Sequence, residues 1–176
     1  MIRVVRGVFA AGNFLAGIIF VVLLAWQAPA HADTSERIGD WTKLCQSGST
    51  DPRACVLTQK IQSLDTKDPV LAVGVYYPRG RDVAEMEFHL PAQVVLEKPL
   101  QMKVDNHDAM DLTINECKPG FCVAAAALDP PVITLLTGGK AAVISFVLPS
   151  GERMGVTVSL KGFGQAFRGL SKASRG

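Results

Sequence analysis

No run of lysine or arginine crosses the body of this chain. The 18 Lys and Arg outnumber the 16 Asp and Glu only through Arg3 and Arg6 at the extreme N-terminus. Beyond residue 32 the two signs balance, and a neutral chain without a basic stripe has nothing with which to track a phosphate backbone, so nucleic acid is excluded as a partner. Histidine is scarce too, with only His89 and His107 beyond residue 32. Any serine nucleophile would need one of these two as its base, and no G-x-S-x-G elbow presents such a serine. Neither cysteine spacing is C-x-x-C, and the histidines are not spaced with the cysteines as ligand pairs usually are, which argues against a zinc site or a redox pair. An uninterrupted apolar run long enough to cross a bilayer is missing as well.

The longest apolar run is Phe14 to Trp26, which falls short of the roughly 20 residues a spanning helix needs. Its flanks say what it is for. Arg3 and Arg6 precede it, Asn13 separates it from the earlier apolar residues that reach back to Val8, and Ala28-Pro29-Ala30-His31-Ala32 follows it. Positive charge, a short apolar core and small residues at Ala30 and Ala32 make a secretory signal peptide over residues 1–32, with the mature chain starting at Asp33. The alternative is an uncleaved anchor. No cysteine opens the mature chain, so a lipoprotein is excluded, and the expected location is periplasmic, with outer-membrane association or secretion left open.

Four cysteines remain in this exported chain: Cys45, Cys55, Cys117 and Cys122. An even count in an oxidising compartment reads as two disulfides. Three pairings exist in principle, and local closure favours Cys45 with Cys55 and Cys117 with Cys122. The second pair brackets Lys118-Pro119-Gly120-Phe121, a type II turn in sequence form. If strands continue on both sides, the two cysteines face each other across a hairpin at a distance that a disulfide requires.

Short segments rich in Val, Ile, Leu, Phe and Tyr recur between breakers: Trp41 to Cys45, Cys55 to Ser63, Val70 to Tyr77, Glu85 to Leu90, Leu100 to Asp105, Asp111 to Cys117, Cys122 to Ala125, Ala141 to Leu148 and Met154 to Leu160. Asn106-His107-Asp108, Pro119-Gly120 and Pro149-Ser150-Gly151-Glu152 supply turn chemistry, so the strands flanking each should form hairpins. The succession predicts an all-β antiparallel sandwich in which each of two sheets buries one face. Two short helices interrupt it. Asp129 is an N-cap ahead of Pro130-Pro131, with Gly138-Gly139 as the stop, and Phe163, Phe167 and Leu170 recur at helical spacing near the C-terminus.

The remaining chemical templates fail at particular residues. The acidic loop Asp105-Asn106-His107-Asp108-Ala109-Met110-Asp111 carries Ala109 and Met110 where a calcium loop needs an oxygen ligand and Gly, so it reads as a solvated hairpin loop. Gly138-Gly139-Lys140 lacks the rest of a phosphate loop. Glu85 and Glu87 lie two apart on one strand face and could flank a sugar, yet an exposed strand edge accounts for them equally well. His89 alternates with Phe88 and should lie on the opposite face of its strand. No catalytic residue, cofactor or metal is expected.

Gly39-Asp40-Trp41-Thr42, Cys45 with Cys55, Asn115-Glu116-Cys117 with Gly120-Phe121-Cys122-Val123, and Val158-Ser159-Leu160-Lys161-Gly162-Phe163 occur in an order that resembles the invasion-associated locus B family of Gram-negative exported proteins. The resemblance spans roughly Gly39 to Leu170. It implies an immunoglobulin-like β-sandwich, an envelope location and no catalytic residue. The chain then divides into a leader (1–32), a short linker (33–38), the sandwich domain (39–170) and a flexible tail (171–176). Trp41 and Phe163, each near a glycine that lets backbone approach closely, are expected to be core anchors. The expected function is that of a non-catalytic envelope interaction module with an unidentified envelope or host-surface protein as partner. The alternative is a small-molecule or carbohydrate binder, or a hydrolase with an unrecognised site.

Overall fold

A computed structural model describes residues 34–47 and 52–173. The leader, its cleavage site and the start at Asp33 lie outside the described residues. Ten strands and two α-helices follow in the order β1 Thr34–Ile38, β2 Trp41–Cys45, β3 Cys55–Gln62, β4 Pro69–Tyr76, β5 Glu85–Pro91, β6 Leu100–Val104, β7 Met110–Lys118, β8 Phe121–Ala127, α1 Pro130–Gly138, β9 Ala141–Val147, β10 Arg153–Ser159 and α2 Phe163–Ala173. The nine strand segments read from apolar clusters and turns are all present, and so are the hairpins β6–β7, β7–β8 and β9–β10. Every strand pair is antiparallel.

Alternation decides which face each strand buries. Leu71, Val73 and Val75 of β4, Met86, Phe88 and Leu90 of β5, and Ile144 and Phe146 of β9 point inward and form one core with Leu100, Met102 and Val104 of β6. The strands follow one continuous order, β1-β2-β3-β4-β5-β8-β7-β6-β9-β10. The order folds over at β7. Its first residues, Met110 to Leu112, pair with β6, whereas Thr113 to Lys118 pair with β8, with a register shift between Ile114 and Glu116. Such an irregularity bends a strand and lets it pass from one sheet to another. One layer therefore ends on the second half of β7, and the other begins on its first half. The result is a half-closed barrel, the form the sandwich takes in this chain.

One boundary needs correction. Residues 33–38 read as a linker because Thr34, Ser35, Glu36 and Arg37 are polar, yet Thr34–Ile38 is an edge strand paired along its whole length with β2. An edge strand exposed from Thr34 to Arg37, with only Ile38 buried, needs no apolar alternation, so its sequence resembles a linker. At the other end, α2 runs to Ala173, past Leu170, where the domain reading stopped.

The two helices pack against each other. Asp129 caps α1 by accepting the Val132 N–H at 3.0 Å, and Leu136 is its buried residue. Helix α2 buries Phe163, Ala166, Phe167 and Leu170 on one stripe, which packs on the β1–β3 end and against α1.

Candidate interaction surface

The residues that carried the family resemblance meet at two joints. At the first, Gly39 and Gly162 sit back to back with φ of +62° and +86°, and a Cβ on either would run into the carbonyl of the other strand, Lys161 O or Ile38 O. Only glycine tolerates both conditions. Asp40 N–H donates to Lys161 O at 3.1 Å, and Ser159 Oγ donates to Asp40 Oδ2 at 2.7 Å. Trp41 is fully buried; its Nε1–H donates to Ser159 O at 2.9 Å, and its ring meets Phe163 edge-on at 5.2 Å. Phe163 stacks on Phe167, which stacks on Tyr77. Gln59 completes the joint. Its amide donates to Ser159 O at 3.0 Å and accepts Ser159 N–H at 2.9 Å, so a side chain replaces the ladder partner that β10 lacks there. Trp41 and Phe163 thus sit fully buried at the seam between the two layers.

The second joint is the β7–β8 hairpin. Cys117 pairs with Cys122 and Cys45 with Cys55, at Cα separations of 4.0 and 4.1 Å, and both pairs are direct cross-strand neighbours. Gly120 has φ +97°, as the third position of a type II turn demands. No free cysteine remains among the described residues.

His89 and the two glutamates come together on the outer face of the long sheet. Strand β5 lies between β4 and β8, so Glu85 and Glu87 line a central strand and not an exposed edge. Phe88 is buried, while Glu85, Glu87 and His89 face outward, as alternation requires. Glu87 Oε1 lies 3.5 Å from His89 Nε2, Tyr76 stands beside Glu87, and Glu85 pairs with Arg81. Partial burial, then the Glu87 and Glu85 carboxylates, hold the Tyr76 hydroxyl above its ordinary range. His89 also rests against the Phe121 ring at 5.5 Å. Beside this cluster lies a shallow depression of about 300 Å³ floored by Val56, Ala72 and Gly74. No serine or cysteine lines it. A cleft of about 620 Å³ opens where β6 and β7 part, between Leu96–Leu100 and Leu112–Cys117.

His107 is elsewhere, exposed in the β6–β7 loop, where its backbone N–H donates to Val104 O. In the same loop Asp105 has φ +46° and accepts the N–H groups of Lys140 and Ala141 at 2.9 and 3.0 Å. Those bonds hold its carboxyl below the usual carboxylate range. Asp105 therefore clamps β6 to the start of β9, a task hidden in a loop that reads as merely solvated. Its sequence signal was a lone Asp at a strand end, a residue type that binds nearby backbone and tolerates the left-handed region. Gln59 and Ser159 gave no such signal. Among the described residues no cluster of His, Cys, Asp and Glu could hold a metal ion, and no helix is long and apolar enough to cross a membrane.

The model of the invasion associated locus B (IalB) protein family matches residues 41–171. The chain belongs to that family. Two invasion protein B homologs, from Brucella abortus strain 2308 and from Brucella abortus biovar 1 strain 9-941, are each 32% identical over 140 residues, covering 78% of this chain and 80% of theirs. The crystal structure of invasion associated protein B from Bartonella henselae is similar with a TM-score of 0.70 at 20% identity, covering 81% of this chain and 99% of that one. At that identity the likeness concerns the fold, which in both is an antiparallel barrel-like sandwich. Within this chain the residues that carried the resemblance build the seam and the two disulfide pairs, so they explain the frame before they explain any binding.

Proposed function

We propose that the mature chain is a non-catalytic interaction module exported to the bacterial envelope, which engages an envelope or host-surface protein through an accessible face or edge of its long sheet. The observation that carries this reading is how the reactive side chains are placed. Cysteines are spent on two cross-strand disulfides, Ser159 on Asp40, Asp105 on backbone, and His89 on Glu87 beside Tyr76. These groups hold the chain to itself. Disulfides of this kind persist in oxidising compartments, which supports export. The Brucella relatives are named for invasion, and a role at a host surface comes to this chain from those names. With sixteen charges of each sign in the mature chain, capture should depend on shape and apolar contact and vary little with salt.

Chemical crosslinking of intact envelopes, followed by mass spectrometry of the adducts, tests the reading. A reproducible adduct with one envelope or host-surface protein is expected. Turnover of an ester, peptide or glycoside that disappears on substituting His89 or His107 would refute it. Intact-mass measurement of protein from the envelope fraction should give a chain that starts at Asp33.

A second reading rests on the depression beside Tyr76, Glu87 and His89. An apolar floor with a hydroxyl, a carboxylate and an imidazole along one rim suits a small neutral ligand such as a sugar. Saturable binding lost in Glu87→Gln would favour it.

A further inference from the structure

We infer that the second half of β7 is a strand-addition site, taking an extended peptide segment of a partner protein into the cleft where β6 and β7 part. This rests on the interaction-module reading and names its surface.

The edge exists because the β6–β7 ladder is short. Pairing stops at Leu100 with Leu112, although β7 continues to Lys118. Pro99 precedes Leu100 and has no N–H to extend the ladder, and the register shift after Ile114 turns β7 away. From Thr113 to Lys118, then, β7 is paired on one side by β8, and among the described residues no strand lies on the other. Its unpaired side faces the cleft.

Hydrogen-bond phase says which groups point there. In a two-residue hairpin the residues flanking the turn, Lys118 and Phe121, form the bonded pair, so Cys117 and Cys122 form the non-bonded one. Their Cα separation of 4.0 Å fits that class. The backbone N–H and C=O of Cys117 consequently point away from β8 into the cleft. A main-chain donor and acceptor fixed on a disulfide-braced edge are complemented by the main chain of another strand.

The far wall is held as firmly as the near one. Val94 is buried in the core, Val95 N–H donates to Val147 O at 2.8 Å, and Lys98 N–H donates to Val95 O at 3.2 Å. Leu96 stands in that wall and is 56% exposed. Both walls being tied to the barrel, the cleft is a preformed slot of about 620 Å³ and not a gap that side chains close.

The same wall selects the occupant. A second copy would have to bring its own Leu96–Pro99 wall up to this one before the two β7 edges could pair. A single extended segment meets no such obstacle. It should carry an apolar side chain toward Leu96 and Ile114 and polar ones toward Glu97 and Lys98, which have no ionic partner among the described residues. Of the two terminal strands, β1 is short and carries Glu36 and Arg37, the usual means by which an edge is kept from pairing, and β10 gives its end at Ser159 to the Gln59 amide.

Panning a random-peptide phage library on the oxidised protein, then mapping a recovered peptide by amide shifts and hydrogen exchange, tests this. Shifts confined to residues 113–118 and the far wall are expected, with slowed exchange at the Cys117 amide. N-methylation of the peptide at alternate residues should weaken binding about tenfold in one phase and hardly at all in the other, the signature of a ladder. Leu96→Asp, at an exposed position, should weaken it severalfold without moving the melting temperature. Equal effects of both N-methylation phases would overturn the proposal, as would failure to recover any peptide. Peptides that map to β1 or to the Glu87–His89 depression would overturn it while leaving the interaction module standing. Dimers in sedimentation that protect Cys117 would make a second copy the occupant and refute the partner assigned here. A peptide bound at the edge with no adduct from intact envelopes would leave the edge standing and the module reading refuted.

Discussion

The two layers of this barrel meet twice, and the meetings are opposite in kind. At the seam, β10 and the β2–β3 end are sewn together by Trp41, Gln59, Ser159 and two glycines with no room for a side chain. At the fork, one strand serves both layers, and beyond Leu112 its edge is left bare beside a slot. The seam satisfies its polar groups internally, down to an amide side chain that stands in for a strand. The fork leaves main-chain polar groups for something else to satisfy. Stability is thereby placed at one junction and the proposed recognition edge at the other, and substitutions should separate them.

The largest effect should come from the seam. Trp41→Ala removes a fully buried ring, its contact with Phe163 and the hydrogen bond to Ser159 O, at a cost of about 3 to 5 kcal/mol. The expected outcome is loss of folded protein, read as a collapse of the melting transition. An unchanged melting temperature with lost binding would make Trp41 a recognition residue and erase the contrast.

Next is the disulfide at the fork. Replacing Cys117 and Cys122 together by Ser should cost about 2 kcal/mol by loop-closure entropy. It should also loosen the near wall of the slot, so peptide binding falls alongside stability. Replacing Cys45 and Cys55 should cost about 2 to 3 kcal/mol and leave binding at the fork alone. Non-reducing peptide maps should show these two crosslinks and no others.

Gln59→Ala should cost about 1 to 2 kcal/mol, because Ser159 N–H and C=O lose a partner in a part-buried position. Chemical denaturation measures it, and the prediction for binding at the fork is no change.

The smallest effect concerns acid. Asp105 titrates in the folded chain below its ordinary value, so its contribution is complete above the unfolded carboxyl pKa of about 4 and is lost as pH falls through the folded value. Asp105→Asn should lower stability at neutral pH, where the carboxylate contributes, and flatten that acid limb so that variant and parent converge at low pH. A variant whose acid limb matched the parent's would mean that the bonds to Lys140 and Ala141 contribute nothing.

The parts of this protein legible in its sequence are those set by neighbours along the chain. Alternation set Phe88 and His89 on opposite faces of their strand, the Pro119-Gly120 turn set the hairpin that brings Cys117 opposite Cys122, and Asp129 with Pro130-Pro131 opened α1. Each depends on contacts only a few residues away, so pattern and turn chemistry suffice. Strand β1 was missed because a solvent-exposed edge needs no apolar pattern.

What only the tertiary structure decided involves groups far apart. Gln59 and Ser159 are 100 residues apart, and nothing in a strand's composition says that its glutamine will serve as another strand's partner. Asp105 reaches Lys140 and Ala141 across a helix and a hairpin. The division of β7 between two layers depends on where β6 stops pairing and β8 takes over, a competition between ladders that sequence pattern does not encode. Apart from proline, every residue offers the same backbone donor and acceptor, so sequence sets where strands form, and the packing of the whole barrel sets which edge is left open.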